Sequence, residues 1–431
     1  MHKSQFLILW LLTLIAIPAL SQPNRHSYSL PLLLDSAISR FPVSAQIDEL
    51  NQIGQLTDQQ LSTAYLPVLQ INGQMSYQSE VTQLQILVPG FSPPELAKDW
   101  YKLNLDVSQL IYDGGQVNTQ KKIEATQNKI KLTEVSQQEN IFKENIIRLY
   151  YRSMLLKQQL LVFASMEKSL TATAAETKNA VDIGAILESA YQNIQAEILR
   201  VQQQQLETEA ALAASLSFLS AYTGLDLNME DSLKPPVFEL QETQLINLRP
   251  EWQSLKLQEE KTALLSTLAK SKRRPLLQAF GQAGYGRPGY NMLDDQFSDY
   301  YMAGLRLQFK LWDWHTSKRE QSIARLNGRI FQKNIQNFEM NQSAAYQAKL
   351  QEISRLRKTT LLDAEVVKLQ QQIVNSQHSG LSQGMITMAA FLQESEKLTR
   401  SMLGYETNKI RLLNAQTELM FITGKINFHE Q

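Results

Sequence analysis

The sequence predicts an α+β membrane protein in which one unit, two strands followed by a long helical hairpin, occurs twice in 431 residues. Three observations predict this fold class. Landmark residues repeat at fixed spacings, several segments alternate apolar and polar residues, and two very long segments lack helix breakers. We therefore expect four strands and two helical hairpins in each chain.

Pairs of matching residues define the repeat. The pairs separated by 208 positions are Pro42 with Pro250, Pro67 with Pro275, Gly73 with Gly281 and Tyr77 with Tyr285; those separated by 200 are Asp113 with Asp313, Gly184 with Gly384, and Thr223-Gly224 with Thr423-Gly424. Because only two spacings explain all of them, we infer a duplication. The duplication predicts a first repeat at 22–235 and a second repeat at 236–431. The apolar N-terminus predicts a signal peptide at 1–21.

The strands are expected at about 66–78, 101–112, 275–286 and 300–312. Successive side chains of a strand point to opposite faces, so each of these segments has an apolar face and a polar face. The apolar face is expected to meet lipid through Leu69, Ile71, Leu103, Leu105, Val107, Leu305, Leu307 and Phe309. Aromatic residues near the strand ends, which suit a membrane interface, are Tyr77, Trp100, Tyr101, Tyr285, Tyr301, Trp312 and Trp314.

The helical hairpins are expected at about 114–225 and 314–424. In the first of them, apolar residues recur every seven positions, which is the repeat of a coiled coil: Val135, Phe142, Leu149, Leu156, Phe163 and Leu170. Gly184 and Gly384 interrupt the two long segments, and glycine tolerates the positive φ of a tight reversal. Each long helix should therefore reverse there and return as a shorter helix.

Four strands cannot close a barrel, and an open sheet edge is not viable in lipid. Three chains would pool twelve strands, with the apolar faces towards lipid and the polar faces towards a lumen. Strands of about 10 residues also match a tilted crossing of the bilayer. The alternative that stays open is an exported coiled-coil scaffold without a pore, in which the strands form a small soluble sheet.

Composition narrows the function classes. The 42 basic residues balance the 42 acidic ones, which gives no support to a nucleic-acid partner. No cysteine is present, the five histidines lack metal-ligand spacing, and neither a GxSxG nor an HExxH motif occurs. We therefore expect no enzyme, no catalytic residue, no cofactor and no metal site, although an exported hydrolase is a weighed alternative. The apolar run after Lys3 reads as a cleaved secretory signal, with an uncleaved anchor as the alternative.

Several segments resemble the outer membrane efflux protein family, the TolC-like channels of Gram-negative bacteria. They are AYLPVLQINGQMSY and RRPLLQAFGQAGY at the strand entries, QLIYDGGQ at a strand exit, VDIGAILES and LSQGMITMAAFLQESEKL at the hairpin turns, and LSAYTGL and MFITGKI at the helix ends. The resemblance runs from about Leu30 to Ile426. It implies a homotrimer with a 12-stranded β-barrel in the outer membrane, continued by a 12-helix coiled-coil tunnel through the periplasm.

The resemblance also implies a function: a passive conduit of a tripartite efflux pump, which exports drugs, toxic compounds or metal ions. Its partners would be a periplasmic adaptor and an inner-membrane transporter, and an outlet for type I protein secretion is the alternative. Docking to the adaptor would use the hairpin tips, Gly184, Ala185, Ile186, Gly384, Met385 and Ile386.

Family members commonly carry acidic residues just beyond the tip glycine, where this chain has Ala190, Tyr191, Ala390 and Phe391. The hypothesis for this chain is a hydrophobic constriction that involves Tyr191 or Phe391, and the sequence leaves both electrostatic and hydrophobic gating open. The proline-rich loop 87–96 is interpreted as a surface lid or as a plain loop.

Overall fold

A computed structural model describes residues 26–82, 96–236 and 248–424. The expected signal peptide and most of the 87–96 loop lie outside these residues. The elements in chain order are β1 (Ser27–Ser29), α1 (Leu30–Arg40), α2 (Gln46–Ser62), a 3-10 turn (Thr63–Tyr65), β2 (Val68–Tyr77), β3 (Asp99–Tyr112), α3 (Gln116–Asp182), α4 (Glu188–Thr223), β4 (Ser232–Lys234), α5 (Pro250–Ser271), β5 (Leu276–Arg287), β6 (Ser298–Gln308), α6 (Thr316–Ser382) and α7 (Met388–Thr423).

The two hairpins coincide residue for residue at the spacing of 200. Helices α3 and α6 each have 67 residues, and α4 and α7 each have 36. At about 1.5 Å per residue, each long helix extends roughly 100 Å. The leading helices α2 and α5 lie beside the first part of α3 and α6, and the returning helices α4 and α7 lie beside the remainder.

Strands β2, β3, β5 and β6 form one antiparallel sheet in the order β2-β3-β5-β6. Its two outer edges, on β2 and β6, have no partner within the described chain. The sequence predicts that the fourth strand extends to 312, but β6 ends at Gln308. Gln308 pairs with Leu276, and the next partner in register would be Pro275, which has no N–H to donate.

The core of the molecule lies among the helices. One cluster joins α1, α3, α4 and α7 around the fully buried Tyr150, and a second joins both hairpins near their tips. The coiled-coil positions Val135, Phe163 and Leu170 are buried, while Phe142, Leu149 and Leu156 pack against the first cluster. The hydrophobic repeat of α3 therefore faces its neighbouring helices.

A small two-stranded parallel sheet, β1 with β4, lies against the first cluster. The Tyr150 hydroxyl lies within hydrogen-bonding distance of the backbone carbonyl oxygens of Tyr28 and Lys234, one on each strand. This buried hydroxyl thus ties the small sheet to the long helix. Among the described helices, none combines the length and the apolar character needed to cross a membrane.

Candidate functional site

One face of the four-stranded sheet is apolar and open to the surroundings. The strand register aligns Leu69 with Val107, Ile71 with Leu105, and Leu277 with Leu307 across neighbouring strands. Most of the expected lipid-facing residues are strongly exposed, namely Leu69, Ile71, Leu103, Leu105, Leu305, Leu307 and Phe309, whereas Val107 is half-buried. Phe309 follows the end of β6 by one residue. A contiguous apolar surface of this kind is unusual on a protein that faces only water.

The opposite face of the sheet carries hydrogen-bonded polar side chains. Asp106 accepts from the side-chain amides of Asn72 on β2 (2.5 Å) and Gln282 on β5 (2.7 Å). Gln282 in turn accepts from the Tyr290 hydroxyl at 2.7 Å, and the Tyr300 hydroxyl donates to Asn104. Asp106 therefore joins three strands on the face that the sequence assigns to a lumen.

Most of the predicted interface aromatics lie at the ends of the sheet. Tyr77, Tyr101, Tyr285 and Tyr301 share the apolar face near the strand connections, and Trp312 and Trp314 lie beyond the other end of β6. Trp100 is different, because strand alternation places it on the polar face, where the Lys102 ammonium lies 5.1 Å from its ring centre. Trp100 and Tyr101 therefore lie on opposite faces of the sheet, and a membrane-interface role for each stays a prediction.

The sheet joins α3 through Asp113, Gly114 and Gly115. The Asp113 carboxylate accepts from the backbone N–H of Gly115 (2.8 Å) and Val117 (2.5 Å), and from the Tyr65 hydroxyl (3.0 Å). Burial opposes ionisation of Asp113, but these three donors outweigh it and hold its pKa below the ordinary range. Gly114 and Gly115 have φ of 70° and 86°, which turn the strand into the helix.

The second joint has the same conformation without glycine. Trp314 and His315 have φ of 51° and 64°, the left-handed region that side chains disfavour. Asp313 accepts from the hydroxyl (2.5 Å) and the backbone N–H (3.0 Å) of Ser317, and these hydrogen bonds lower its pKa. Both copies thus begin their long helix with an aspartate that binds its first turn.

The two hairpin tips reverse in the same way. Gly184 and Gly384 have φ of 74° and 70°, and the residue after each glycine donates its N–H five residues back, Ala185 to Ala180 (2.8 Å) and Met385 to Gly380 (2.9 Å). This is the Schellman arrangement that ends many helices. The tips expose apolar side chains, with Ile186, Leu187 and Met385 all accessible and Ile386 half-buried.

The residues expected to form a constriction lie in different environments. Phe391 is 1% exposed and packs in the cluster between the hairpins, 5.9 Å from the His378 ring, where both side chains border a cavity between the helices. Tyr191 is half-buried, and its hydroxyl accepts from Gln195 at 2.7 Å. Ala190 and Ala390 are both half-buried. The Phe391 ring therefore faces the neighbouring helices, and a constriction at these positions stays a prediction.

Known proteins resemble this chain in structure but not in sequence. No protein-family model matches the sequence, and no curated protein matches it either. Solved structures do match: the outer membrane protein VceC from Vibrio cholerae has a TM-score of 0.72 at 13% identity over 92% of this chain and 96% of that one. The chain has the fold of the TolC-like outer membrane channels.

Two further structures share this fold. The CmeC outer membrane channel of Campylobacter jejuni matches with a TM-score of 0.69 at 15% identity, covering 93% of this chain and 87% of that one. The open state of the MtrE outer membrane channel of Neisseria gonorrhoeae matches at 0.70 and 13% identity, covering 93% and 90%. The resemblance inferred from short motifs is thus confirmed at the level of fold.

Within this TolC-like fold, sequence reasoning missed two residues that contact the first joint. Tyr65 and Arg274 were not singled out, although each contacts the first joint directly. The available signal was their position just before Pro67 and Pro275, at the entry to β2 and β5. In the described part of the chain, no group of three or more acidic or histidine side chains is arranged to hold a metal ion.

Proposed function

We propose that the chain is a subunit of a trimeric outer membrane channel that exports small molecules. The observation that carries the proposal is the sheet, which has one exposed apolar face and one hydrogen-bonded polar face. Three chains would supply twelve strands and close the two free edges of the sheet, which no single chain can do in lipid. The polar face, with Asp106 at its centre, would then line a water-filled lumen.

The helical hairpins would continue this lumen as a tunnel of twelve helices in the periplasm. The protein performs no covalent chemistry in this proposal, and an energised partner supplies the driving force. The tips would dock a periplasmic adaptor bound to an inner-membrane transporter, through Gly184 to Ile186 and Gly384 to Ile386. Support comes from the exposed apolar side chains at both tips, which suit a protein partner.

Conductance of the purified protein in a planar lipid bilayer tests the proposal. We expect discrete channel openings, and we expect Asp106→Asn to lower the ratio of cation to anion permeability, because it removes carboxylates from the lumen wall. Asp299→Asn is the matched control, since strand alternation puts Asp299 on the apolar face. Absence of conductance would contradict the channel, and a larger effect from Asp299→Asn would contradict the assignment of the faces.

Export of small molecules is tested in the bacterium that makes the protein. Deletion of the gene should raise the accumulation of dyes or metal ions and leave secreted polypeptides unchanged. The opposite result would favour an outlet for type I protein secretion. A complementing wild-type copy controls for other effects of the deletion.

A further inference from the structure

The connection between β5 and β6, residues 288–297, folds back over the polar face of the sheet. The Tyr290 hydroxyl donates to the Gln282 side chain at 2.7 Å, and the Gln282 amide in turn donates to Asp106 at 2.7 Å. Gln282 lies well inside β5, whose last residue is Arg287. The Tyr290 side chain therefore points back along the strands instead of away from the sheet.

Tyr290 packs on Tyr300, which lies on the same face of β6. The two ring centres are 4.7 Å apart, and the ring planes make an angle of 58°. A Cβ on Gly289 would lie 3.6 Å from the Tyr300 Cδ1 atom, so the loop backbone also approaches this ring. Tyr300 is accordingly 8% exposed, whereas Tyr290 remains 49% exposed. The loop thus buries Tyr300 and keeps one side of Tyr290 open.

Gly284 on β5 makes room for this arrangement. A Cβ on Gly284 would lie 2.7 Å from the Tyr300 ring and 2.5 Å from the Asn104 side-chain oxygen. This oxygen is the atom to which the Tyr300 hydroxyl donates. The Tyr300 ring therefore lies across β5, in space that a side chain at position 284 would fill.

The far end of the loop is held on the apolar face. Phe297 stacks on Tyr285, with ring centres 5.7 Å apart and 18° between the ring planes. The Arg287 guanidinium lies 2.7 Å from the Asp99 carboxylate and 3.7 Å from the Asp295 carboxylate. The loop is thus fixed to both faces of the sheet.

We propose that Tyr290 selects solutes by size at the outer mouth of the channel. This inference rests on the proposed function, in which the polar face lines the lumen and the strand connections lie at the exterior. The Tyr290 ring is anchored against the lumen wall and half-exposed, so it occupies space that a solute must cross. Three copies would narrow the mouth at one level. Bulky solutes would be retarded there, and small ions would pass beside the rings.

Labelling of single cysteines in intact bacteria that make the protein tests this inference, because the chain has no cysteine of its own. Gln70→Cys reports on the lumen below the loop, since Gln70 is exposed on the polar face, nearer the helices than Asn72. Glu80→Cys reports on the exterior, since Glu80 is exposed in the connection that follows β2. Maleimides on polyethylene glycol chains of increasing length, added outside the cells, show the longest reagent that reaches each position.

With tyrosine at position 290, we expect the longest reagents to label Glu80→Cys but not Gln70→Cys. Tyr290→Ala should let longer reagents label Gln70→Cys and should leave labelling by the shortest reagent unchanged. Labelling of Glu80→Cys should be equal in both backgrounds, which shows that the variant reaches the surface. Leu293→Ala is the matched control, because it removes an apolar side chain of the same loop that is 47% exposed, and it should leave the length limit unchanged.

If the shortest reagent labels Gln70→Cys but Tyr290→Ala leaves the length limit unchanged, the inference is overturned and the proposed function stands. An equal change in Leu293→Ala would also overturn it, because the narrowing would then belong to the loop as a whole. If no reagent labels Gln70→Cys, the polar face does not line an open lumen, and both the inference and the proposed function are wrong.

Discussion

The two joints between sheet and long helix share a backbone but differ in their surroundings. Gly114 and Gly115 occupy the left-handed region at the first joint, and Trp314 and His315 occupy it at the second. Gly114 is buried beneath Arg274, whereas Trp314 stands open. Glycine is therefore needed at the first joint because another segment approaches closely, in addition to the positive φ that both joints require.

The strain at the second joint is tolerated for a physical reason. A residue with a side chain in the left-handed region costs on the order of 1 kcal/mol, but Trp314 meets nothing that forbids its ring. The Trp312 and Trp314 rings pack edge to face at 5.8 Å, and Trp312 also contacts the His315 ring at 5.1 Å. The second joint thus has aromatic side chains at positions 314 and 315, where the first joint has two glycines.

The largest effect is expected from adding a side chain at the first joint. In Gly114→Ala, the new Cβ would lie 2.5 Å from the Arg274 Cβ and 3.2 Å from the Ser271 carbonyl oxygen, at a φ of +70°. Strain and overpacking together should lower the free energy of unfolding by about 2 to 4 kcal/mol. Trp314→Ala, the matched control, adds no atom and should cost much less. Denaturant unfolding in detergent measures both, and equal losses would contradict the comparison.

The joints also show how far sequence reasoning reaches. The fixed spacing predicted that Asp113 and Asp313 are equivalent, and both do bind the first turn of a long helix. It could not predict that Ile123 is buried and Ile323 exposed, because burial depends on a neighbouring helix and not on the residue itself. For the same reason, the sequence shows that Phe391 lies close to the tip glycine Gly384, but it does not show that the Phe391 ring is buried between helices.

Removing the aspartate should also lower the free energy of unfolding by different amounts at the two joints, with a smaller effect than Gly114→Ala. Asp113→Ala removes the acceptor of two backbone N–H groups and the Tyr65 hydroxyl in a buried place, so we expect a loss of about 1 to 2 kcal/mol. Asp313→Ala, at the more open joint, should cost less. Unfolding free energies at pH 7 test this order.

The loss at Asp113 should depend on pH with a definite sign. Its pKa is lower in the folded chain than the ordinary value of about 3.9, so its charge stabilises the fold fully above that pH. The stabilisation is lost as the pH falls through the lowered pKa. The difference in stability between wild type and Asp113→Ala should therefore shrink as the pH falls below about 3.9 and through the lowered pKa. A constant difference between pH 7 and pH 3 would contradict an ionic role for this carboxylate.

At the tips the two repeats should behave alike. Gly184 and Gly384 have positive φ, and a Cβ at either position would meet nothing within 4 Å. Gly184→Ala and Gly384→Ala should each cost about 1 kcal/mol from strain alone, equal within error. Gly404→Ala is the control, because Gly404 lies inside α7 with open space around it, and alanine there should stabilise by up to about 1 kcal/mol. A clear inequality between the tips would indicate a contact that only one of them makes.

The smallest expected effect concerns a glycine that belongs to the leading helix in the first repeat and to the long helix in the second. Gly54 of α2 faces Asn128 of α3, whereas at the equivalent positions Thr262 of α5 faces Gly328 of α6. A Cβ on Gly54 would lie 2.6 Å from the Asn128 amide nitrogen, and one on Gly328 would lie 2.9 Å from the Thr262 hydroxyl. Each contact therefore has room for one side chain, and either helix can supply it.

A double-mutant cycle tests this exchange. Gly54→Thr alone should crowd Asn128, and Asn128→Gly alone should weaken α3 as an interior glycine does. The double variant reproduces the pairing of the second repeat, so it should be more stable than the sum of the single losses predicts, by about 0.5 to 1 kcal/mol. Additive losses would mean that the two helices adjust independently, and that the glycine exchange is not a packing constraint between them.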